Sequence, residues 1–215
     1  MKIENCLPAE ALALPKPSAK RRSAQEGKLK IEDKPYLLYV GNAYPHKNLE
    51  RLLKAFKIVL EKEPSLCLVL VGEVDYFYQR LQKFAQDLDL KKKVIFTGQV
   101  QDEELAWLYQ NGLAYVFPSL REGFGLPGLE AMKHGLAVVS SNRGSLPEIY
   151  AKSAYYFDPE NVGEIAEVIL EVIRNRNLRE KLKKRGLEQA KKYSWEKCAR
   201  ETLEVYRGVK NSVIK

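Results

Sequence analysis

The sequence predicts a doubly wound α/β domain, a parallel sheet of about six strands covered by helices on both faces. Three observations point there. From Tyr36 onward, short apolar runs alternate with stretches of helical periodicity. The runs are rich in leucine and β-branched residues along their whole length, as strands buried on both faces require. The first three of them close on a glycine: Gly41, Gly72 and Gly98.

The elements follow in order. Tyr36–Val40 is a strand, and Asn48 is expected to cap a helix in which Leu49, Leu52, Leu53, Phe56, Val59 and Leu60 repeat at helical spacing. Leu66–Val71 is a second strand, followed by a helix through Leu81, Phe84 and Leu88. Val94–Thr97 is a third, and Asp102–Tyr109 a short helix. The fourth strand, Leu113–Phe117, leads to a helix over Leu126–Lys133, and the fifth, Leu136–Ser140, to a short helix at Leu146–Tyr150. A small strand at Ala154–Phe157 precedes three helices over Val162–Arg174, Leu178–Lys191 and Trp195–Val209. The preceding 1–34 stretch carries Pro8, Pro15, Pro17 and the basic triplet Lys20-Arg21-Arg22 without apolar periodicity. It reads as a linker or tail with a short helical piece near Ala9–Leu14. The domain proper is therefore 35–215.

Composition narrows the function classes. At 45% hydrophobic and 30% charged, the 215-residue chain is globular. Its longest apolar runs are strand-sized, against roughly 20 residues for a membrane span. The start, MKIENCLPAE, has no apolar core of a secretory signal. Cys6, Cys67 and Cys198 are odd in number and scattered, which argues against a disulfide framework or zinc site and for a reducing, cytosolic compartment. Between Arg174 and Arg200 eleven basic residues face only Glu180, Glu188 and Glu196, so this stretch carries the whole net charge of +8. Such a face could meet anionic lipid headgroups at an inner membrane surface, or simply be solvated. No RNA-binding signature accompanies it, so nucleic acid is not expected as a partner.

In such a sheet, ligands bind at the carboxyl ends of the strands. The first loop there reads GNAYPHKN and lacks GxGxxG, which disfavours a nicotinamide or flavin. It sets Lys47 just before a helix start, where a cation and free N–H groups suit a diphosphate. The fourth loop, PSLREGFGLPGLEAM over 118–132, carries more. Gly123 and Gly125 let backbone approach a ligand, and Pro127 suits a first helical turn. The free N–H groups of that turn make a second anion nest. Glu122 lies before the glycines and Glu130 about one turn into the helix. Carboxylates repel a diphosphate, so these two are expected to address hydroxyls on either side of it, a ribose and a transferred sugar.

With these residues in place, the chain from Pro35 to Val209 resembles the carboxyl-terminal, donor-binding domain of family 4 glycosyltransferases, which have the GT-B fold. The segments YLLYVGNAYPHKNLERLLKAF, LVLVG, VIFTGQVQDEELAWLYQN, FPSLREGFGLPGLEAM and AVVSSNRGSLPEI carry the likeness, and YSWEKCARETLEVY matches the family's closing helix. The resemblance implies a Rossmann-like domain, the carboxyl-terminal half of a GT-B fold. It also implies retaining transfer of a hexosyl, mannosyl-type group from a nucleoside-diphosphate sugar to a glycan or lipid-linked acceptor, with no metal or cofactor. Glu122 would lie at the transferred sugar as the catalytic residue, and Glu130 at the nucleotide ribose. The diphosphate would meet Lys47 and the backbone of Gly123, Phe124, Gly125 and Leu126, beside Gly41 and Asn42. The base would lie between the loops of Gly72 and of Gln99 and Val100.

Two departures stand out. Many members carry arginine directly after the first loop's glycine, where this chain has Asn42. A GT-B enzyme also has an amino-terminal acceptor domain, and only a tail-like segment precedes the first strand here. The competing expectation is therefore a binding module, or a half that needs an acceptor domain in trans. An epimerase or phosphorylase of the same architecture rests on fold analogy alone, and the EGFGLPGLE spacing argues against both.

Overall fold

The computed structural model describes residue 31 and residues 34–213, with side chains described through 209. The expected helical piece near Ala9–Leu14 lies outside the described residues. Six parallel strands, β1 (Tyr36–Val40), β2 (Cys67–Val71), β3 (Val94–Gly98), β4 (Ala114–Phe117), β5 (Val138–Ser141) and β6 (Ala154–Phe157), form one sheet in the order β3-β2-β1-β4-β5-β6. β1 runs in register with β2 from Tyr36 opposite Cys67 to Val40 opposite Val71. On its other side Leu37 and Leu38 pair with Ala114 and Tyr115 of β4.

Strand burial follows from this order. All residues of β2, β4 and β5 are buried, whereas the edge strands β3 and β6 bury only their ends. The helices are α1 (Leu49–Lys62), α2 (Tyr76–Asp87), α3 (Asp102–Asn111), α4 (Leu126–Lys133), α5 (Leu146–Tyr150), α6 (Val162–Arg174), α7 (Arg176–Ala190) and α8 (Trp195–Val213). Winding reverses between β1 and β4, so right-handed crossovers put helices on both faces. Accordingly α1 packs against α6, and α4 against α7. Leu52, Leu53, Phe56 and Val59 of α1 and Ile165, Ile169 and Val172 of α6 are fully buried in the shared core. Met132 of α4 seats against Gly186 of α7, where a Cβ would come within 2.9 Å of its side chain. Ile31, ahead of the first strand, packs against the same core.

One expected cap acts through its backbone alone. Asn48 precedes α1 with φ of +61°, its carbonyl accepts the Leu52 N–H (3.3 Å), and its side chain bonds no backbone N–H of that helix. Its Nδ2 instead donates to the carbonyls of Pro118 (3.1 Å) and Pro159 (2.7 Å), while Oδ1 accepts from Arg51. This buried amide ties the loops after β1, β4 and β6 together. The amide is oriented by its partners: two buried loop carbonyls take its N–H groups, and Arg51 takes the Oδ1 that would otherwise accept from the helix's first N–H groups.

α8 differs from every other helix. All its described side chains are exposed, including Trp195, Leu203, Val205, Tyr206 and Val209. Among the described residues no His, Cys, Asp and Glu cluster could hold a metal, and no helix is long and apolar enough to cross a membrane. Cys67 is buried in β2 and Cys198 exposed on α8, both unbridged.

Candidate functional site

The reversal of strand order leaves a crevice between the carboxyl ends of β1 and β4, where neighbouring loops diverge to opposite faces. On the β1 side, three strand ends fuse into a shelf. Gly41 N–H donates to the Val71 carbonyl (2.9 Å) and Gly72 N–H to the Gly98 carbonyl (3.2 Å). A Cβ on Gly72 would stand 2.2 Å from the Gly41 carbonyl oxygen, so no side chain fits there. Gln99, exposed, and Val100, half-buried, continue outward from this shelf. Asn42 receives a hydrogen bond on its backbone carbonyl from the Tyr39 hydroxyl (2.8 Å), and its own Oδ1 is buried without a partner.

The first loop then turns through a short 3-10 segment, Pro45–Lys47. The His46 carbonyl accepts the Leu120 N–H (2.8 Å), which clamps the β1 loop onto the β4 loop. This contact delivers Lys47 across the crevice. Its Nζ lies 2.5 Å from Glu122 Oε1 and 5.6 Å from the Phe117 ring centroid. The pair is shielded: the side chains are 14% and 12% exposed. The sequence placed these two residues at different parts of a ligand. In the free chain they neutralise each other.

The β4 loop is fixed from behind. Ser145 Oγ donates to the Glu122 carbonyl (3.0 Å), and the Tyr150 hydroxyl to the Gly125 carbonyl (2.6 Å). Gly125 begins α4 with φ of +87°, and a Cβ there would meet the Tyr150 oxygen at 2.4 Å. Gly128 is equally confined, at 2.2 Å from the same oxygen. Gly125 is therefore required by the protein's own packing, a role that its expected one toward a ligand did not include. Gly123 has no such requirement, for a Cβ there would have no neighbour within 4 Å. Gly123→Ala is accordingly expected to leave the melting midpoint near wild type while weakening anion binding at the loop. Calorimetric titration beside a thermal melt checks this. Phe124 packs edge-on against Tyr193 (5.4 Å between centroids) and stays 40% exposed, and Leu126 is exposed beside it.

Glu130 forms a second centre. It projects from the second turn of α4 and accepts a hydrogen bond on Oε2 from the Tyr109 hydroxyl of α3 (3.2 Å). Although the residue as a whole is exposed, desolvation around its carboxyl raises the pKa, with Asp102 adding to the shift. The Tyr109 bond and the charge of Lys133 oppose the rise. No hydrogen bond joins Glu130 to Lys47 or Glu122. Both carboxylates do act on the Tyr150 hydroxyl, holding its pKa above the usual value after burial, the larger cause. Tyr150 thus stands between the two centres.

Sequence reasoning missed Tyr109, Ser145, Tyr150 and the Asn48 clasp. The spacing of Gly125 and Gly128 was the one local signal that something large sits against α4. His46 exposes its ring against Tyr44 and bonds neither carboxylate.

A separate cavity of about 580 Å³ opens at the β6 edge of the sheet, where the turn Ala151–Ser153 enters β6. Lys152, Lys181, Lys184, Arg185 and Lys192 line it with one acid, Glu188. Its α7 residues recur at helical spacing, so some of the basic run read in the sequence forms a single stripe along that helix.

Comparison with known proteins agrees with this architecture. The O-antigen chain mannosyltransferase B of Escherichia coli is 37% identical over 177 residues, 80% of this chain and 45% of that protein. Sucrose-phosphate synthase from Thermosynechococcus elongatus superposes with a TM-score of 0.76 at 28% identity, covering 84% of this chain and 46% of that one. A crystallised carboxyl-terminal domain of a glycosyl transferase group 1 protein, LpcC from Francisella tularensis, superposes with a TM-score of 0.65 at 28% identity. That match covers 74% of this chain and 87% of that domain. The chain spans less than half the length of the mannosyltransferase it matches. A family model described as "Glycosyl transferases group 1" matches residues 20–189, and the chain belongs to that family.

Proposed function

We propose that this chain is the donor-binding domain of a retaining glycosyltransferase. It would take a hexosyl, mannosyl-type group from a nucleoside-diphosphate sugar to a glycan or lipid-linked acceptor, without metal or organic cofactor. The observation that carries this reading is the Lys47–Glu122 pair, which spans the β1/β4 crevice beside the amino-terminal end of α4. A cation and the free N–H groups of a helix start suit a diphosphate, and the adjacent carboxylate suits the hydroxyls of the sugar attached to it. Glu130 accepts from the ribose, Gly41, Asn42, Gly123, Phe124, Gly125 and Leu126 line the diphosphate path, and Gly72, Gln99 and Val100 flank the base. In the transfer, the bond from the anomeric carbon to the diphosphate oxygen breaks as that from the acceptor oxygen forms, and the acceptor's hydroxyl proton passes to the departing diphosphate. The departing electron pair stays on the diphosphate, where Lys47 and the α4 dipole stabilise it.

A second reading, that the domain binds donor but needs an acceptor domain in trans, is favoured by α8. Its exposed Trp195, Leu203, Tyr206 and Val209 form apolar surface of the kind a partner domain covers. Transfer requires the reacting atoms within about 3–3.5 Å and water excluded, which one open crevice does not provide. A cytoplasmic setting with peripheral contact to an anionic membrane fits the basic stripe of α7, and nucleic acid has no place in this scheme. The test is a calorimetric panel of UDP-, GDP- and ADP-sugars against the chain. Transfer assays with oligosaccharide and anionic-vesicle lipid acceptors follow, with and without an amino-terminal acceptor domain. Donor binding by the chain alone, with transfer only on addition of that domain, is expected. No binding of any nucleotide sugar would overturn the first reading, and robust transfer by the chain alone the second.

A further inference from the structure

Tyr109 is a buried polar side chain near the crevice that the scheme above leaves without a task. It lies in the last turn of α3 and is 1% exposed. Its ring is stacked face-on by His134 (5.3 Å between centroids, 7° between planes) and tilted against Tyr115 (6.1 Å). Its hydroxyl has two acceptors within reach, Glu130 Oε2 at 3.2 Å and, at the outer limit, the Pro127 carbonyl at 3.5 Å. The ring can therefore neither swing nor retract, and its one proton is aimed at a carboxylate.

We infer that Tyr109 is a positioning residue, which fixes the Glu130 carboxylate so that its remaining lone pairs face the ribose hydroxyls of the donor. This rests on the reading of Glu130 as the ribose acceptor. Glutamate has three rotatable bonds, and two vicinal hydroxyls are held together only by a carboxylate in one plane. Bonding at Oε2 sets that plane from the protein side and leaves Oε1 free. The stack on His134 sets the ring in turn. Burial, and then the charge of Lys133, lower the His134 pKa, which favours its neutral form beside the tyrosine.

The test uses the whole chain, with nucleoside diphosphates and their 2′,3′-dideoxy counterparts (UDP, GDP and ADP series) as probes. Wild type is expected to prefer the ribose forms. Tyr109→Phe should shrink that preference by roughly five- to tenfold, the size of one lost hydrogen bond of ordinary strength. It should leave the ratio of diphosphate to nucleoside binding unchanged. His134→Ala, which loosens the ring from behind, should shrink the preference partly, and serves if Tyr109→Phe melts early. Glu130→Ala should abolish it, with no further loss in the Tyr109→Phe/Glu130→Ala double variant.

The acid limb of ribose-dependent binding is a second readout, which a merely structural tyrosine would not move. Glu130 is faced by Tyr109 and Asp102 of α3, Tyr115 of β4, Lys133 of α4 and Tyr150 of α5. Removing the Tyr109 bond removes a cause that lowers its pKa, so binding should fail at higher pH in Tyr109→Phe than in wild type. Intact ribose preference in folded Tyr109→Phe, with loss in Glu130→Ala, would overturn the inference. Intact preference in Glu130→Ala would instead remove the reading of Glu130 beneath it.

Discussion

Gly125→Ala is expected to destabilise the domain by about 3 kcal/mol, measured by denaturant unfolding. Two independent costs add. A φ of +87° places an L-residue in left-handed backbone, which costs roughly 1–2 kcal/mol. The new Cβ would also stand 2.4 Å from the Tyr150 oxygen and 2.7 Å from Leu146. Both neighbours are fully buried, so neither has room to retreat, and overpacking adds roughly 1–3 kcal/mol. Tyr150 also holds the Gly125 carbonyl, so displacing it releases the loop that carries Glu122. Loss of donor binding should accompany loss of stability in this variant, whereas Gly123→Ala separates the two. A Gly125→Ala protein within about 0.5 kcal/mol of wild type would mean that the Tyr150 notch yields easily.

Lys47→Ala should weaken nucleoside-diphosphate binding by roughly a hundredfold, about 3 kcal/mol, and nucleoside binding hardly at all. The loss has two sources. One charge-assisted contact to the diphosphate disappears, worth about 1.5–3 kcal/mol. The Glu122 carboxylate, 2.5 Å from the ammonium in the free chain, is then left unpaired where a diphosphate would arrive. The residue after Gly41 is the neutral Asn42, so no second cation stands beside Lys47 at the start of the first loop. Wild-type affinity for diphosphates should fall with added salt, and the variant's much less. The same diphosphate-to-nucleoside ratio in both proteins would make Lys47 a structural partner of Glu122 only.

Much of this fold can be read locally. The helices Leu126–Lys133, Leu146–Tyr150 and Val162–Arg174 begin and end where their proline, asparagine and periodicity place them, and strand Ala154–Phe157 likewise. Residues 178–191 were less legible. Asn175 accepts the Leu178 N–H and starts α7 at Arg176, ahead of the first periodic leucine, because a cap is a side-chain contact and not a periodicity. α8 runs on past Val209 to Val213, its polar end carrying no stop signal. The site divides in the same way. Glycines, proline and two glutamates in one loop mark an anion nest and its carboxylates. The contacts that make it work join distant residues: Lys47 to Glu122 across 75 positions, Asn48 to Pro159 across 111, Tyr109 to Glu130 across 21. No local pattern encodes such pairs, since sheet order brings them together.

The division of labour across the crevice is the central claim, and Glu122→Gln tests it most directly. The amide keeps the shape and removes the charge that holds Lys47 and repels a diphosphate. Calorimetric titration of wild type and Glu122→Gln, each with a nucleoside diphosphate and with the matching nucleotide sugar, should show two opposite changes. Affinity for the free diphosphate should rise, because Lys47 no longer leaves a carboxylate to meet it. The increment that the attached sugar adds should shrink. Equal losses for both ligands would contradict the account, since they would place Glu122 at the nucleotide and leave the sugar without its carboxylate.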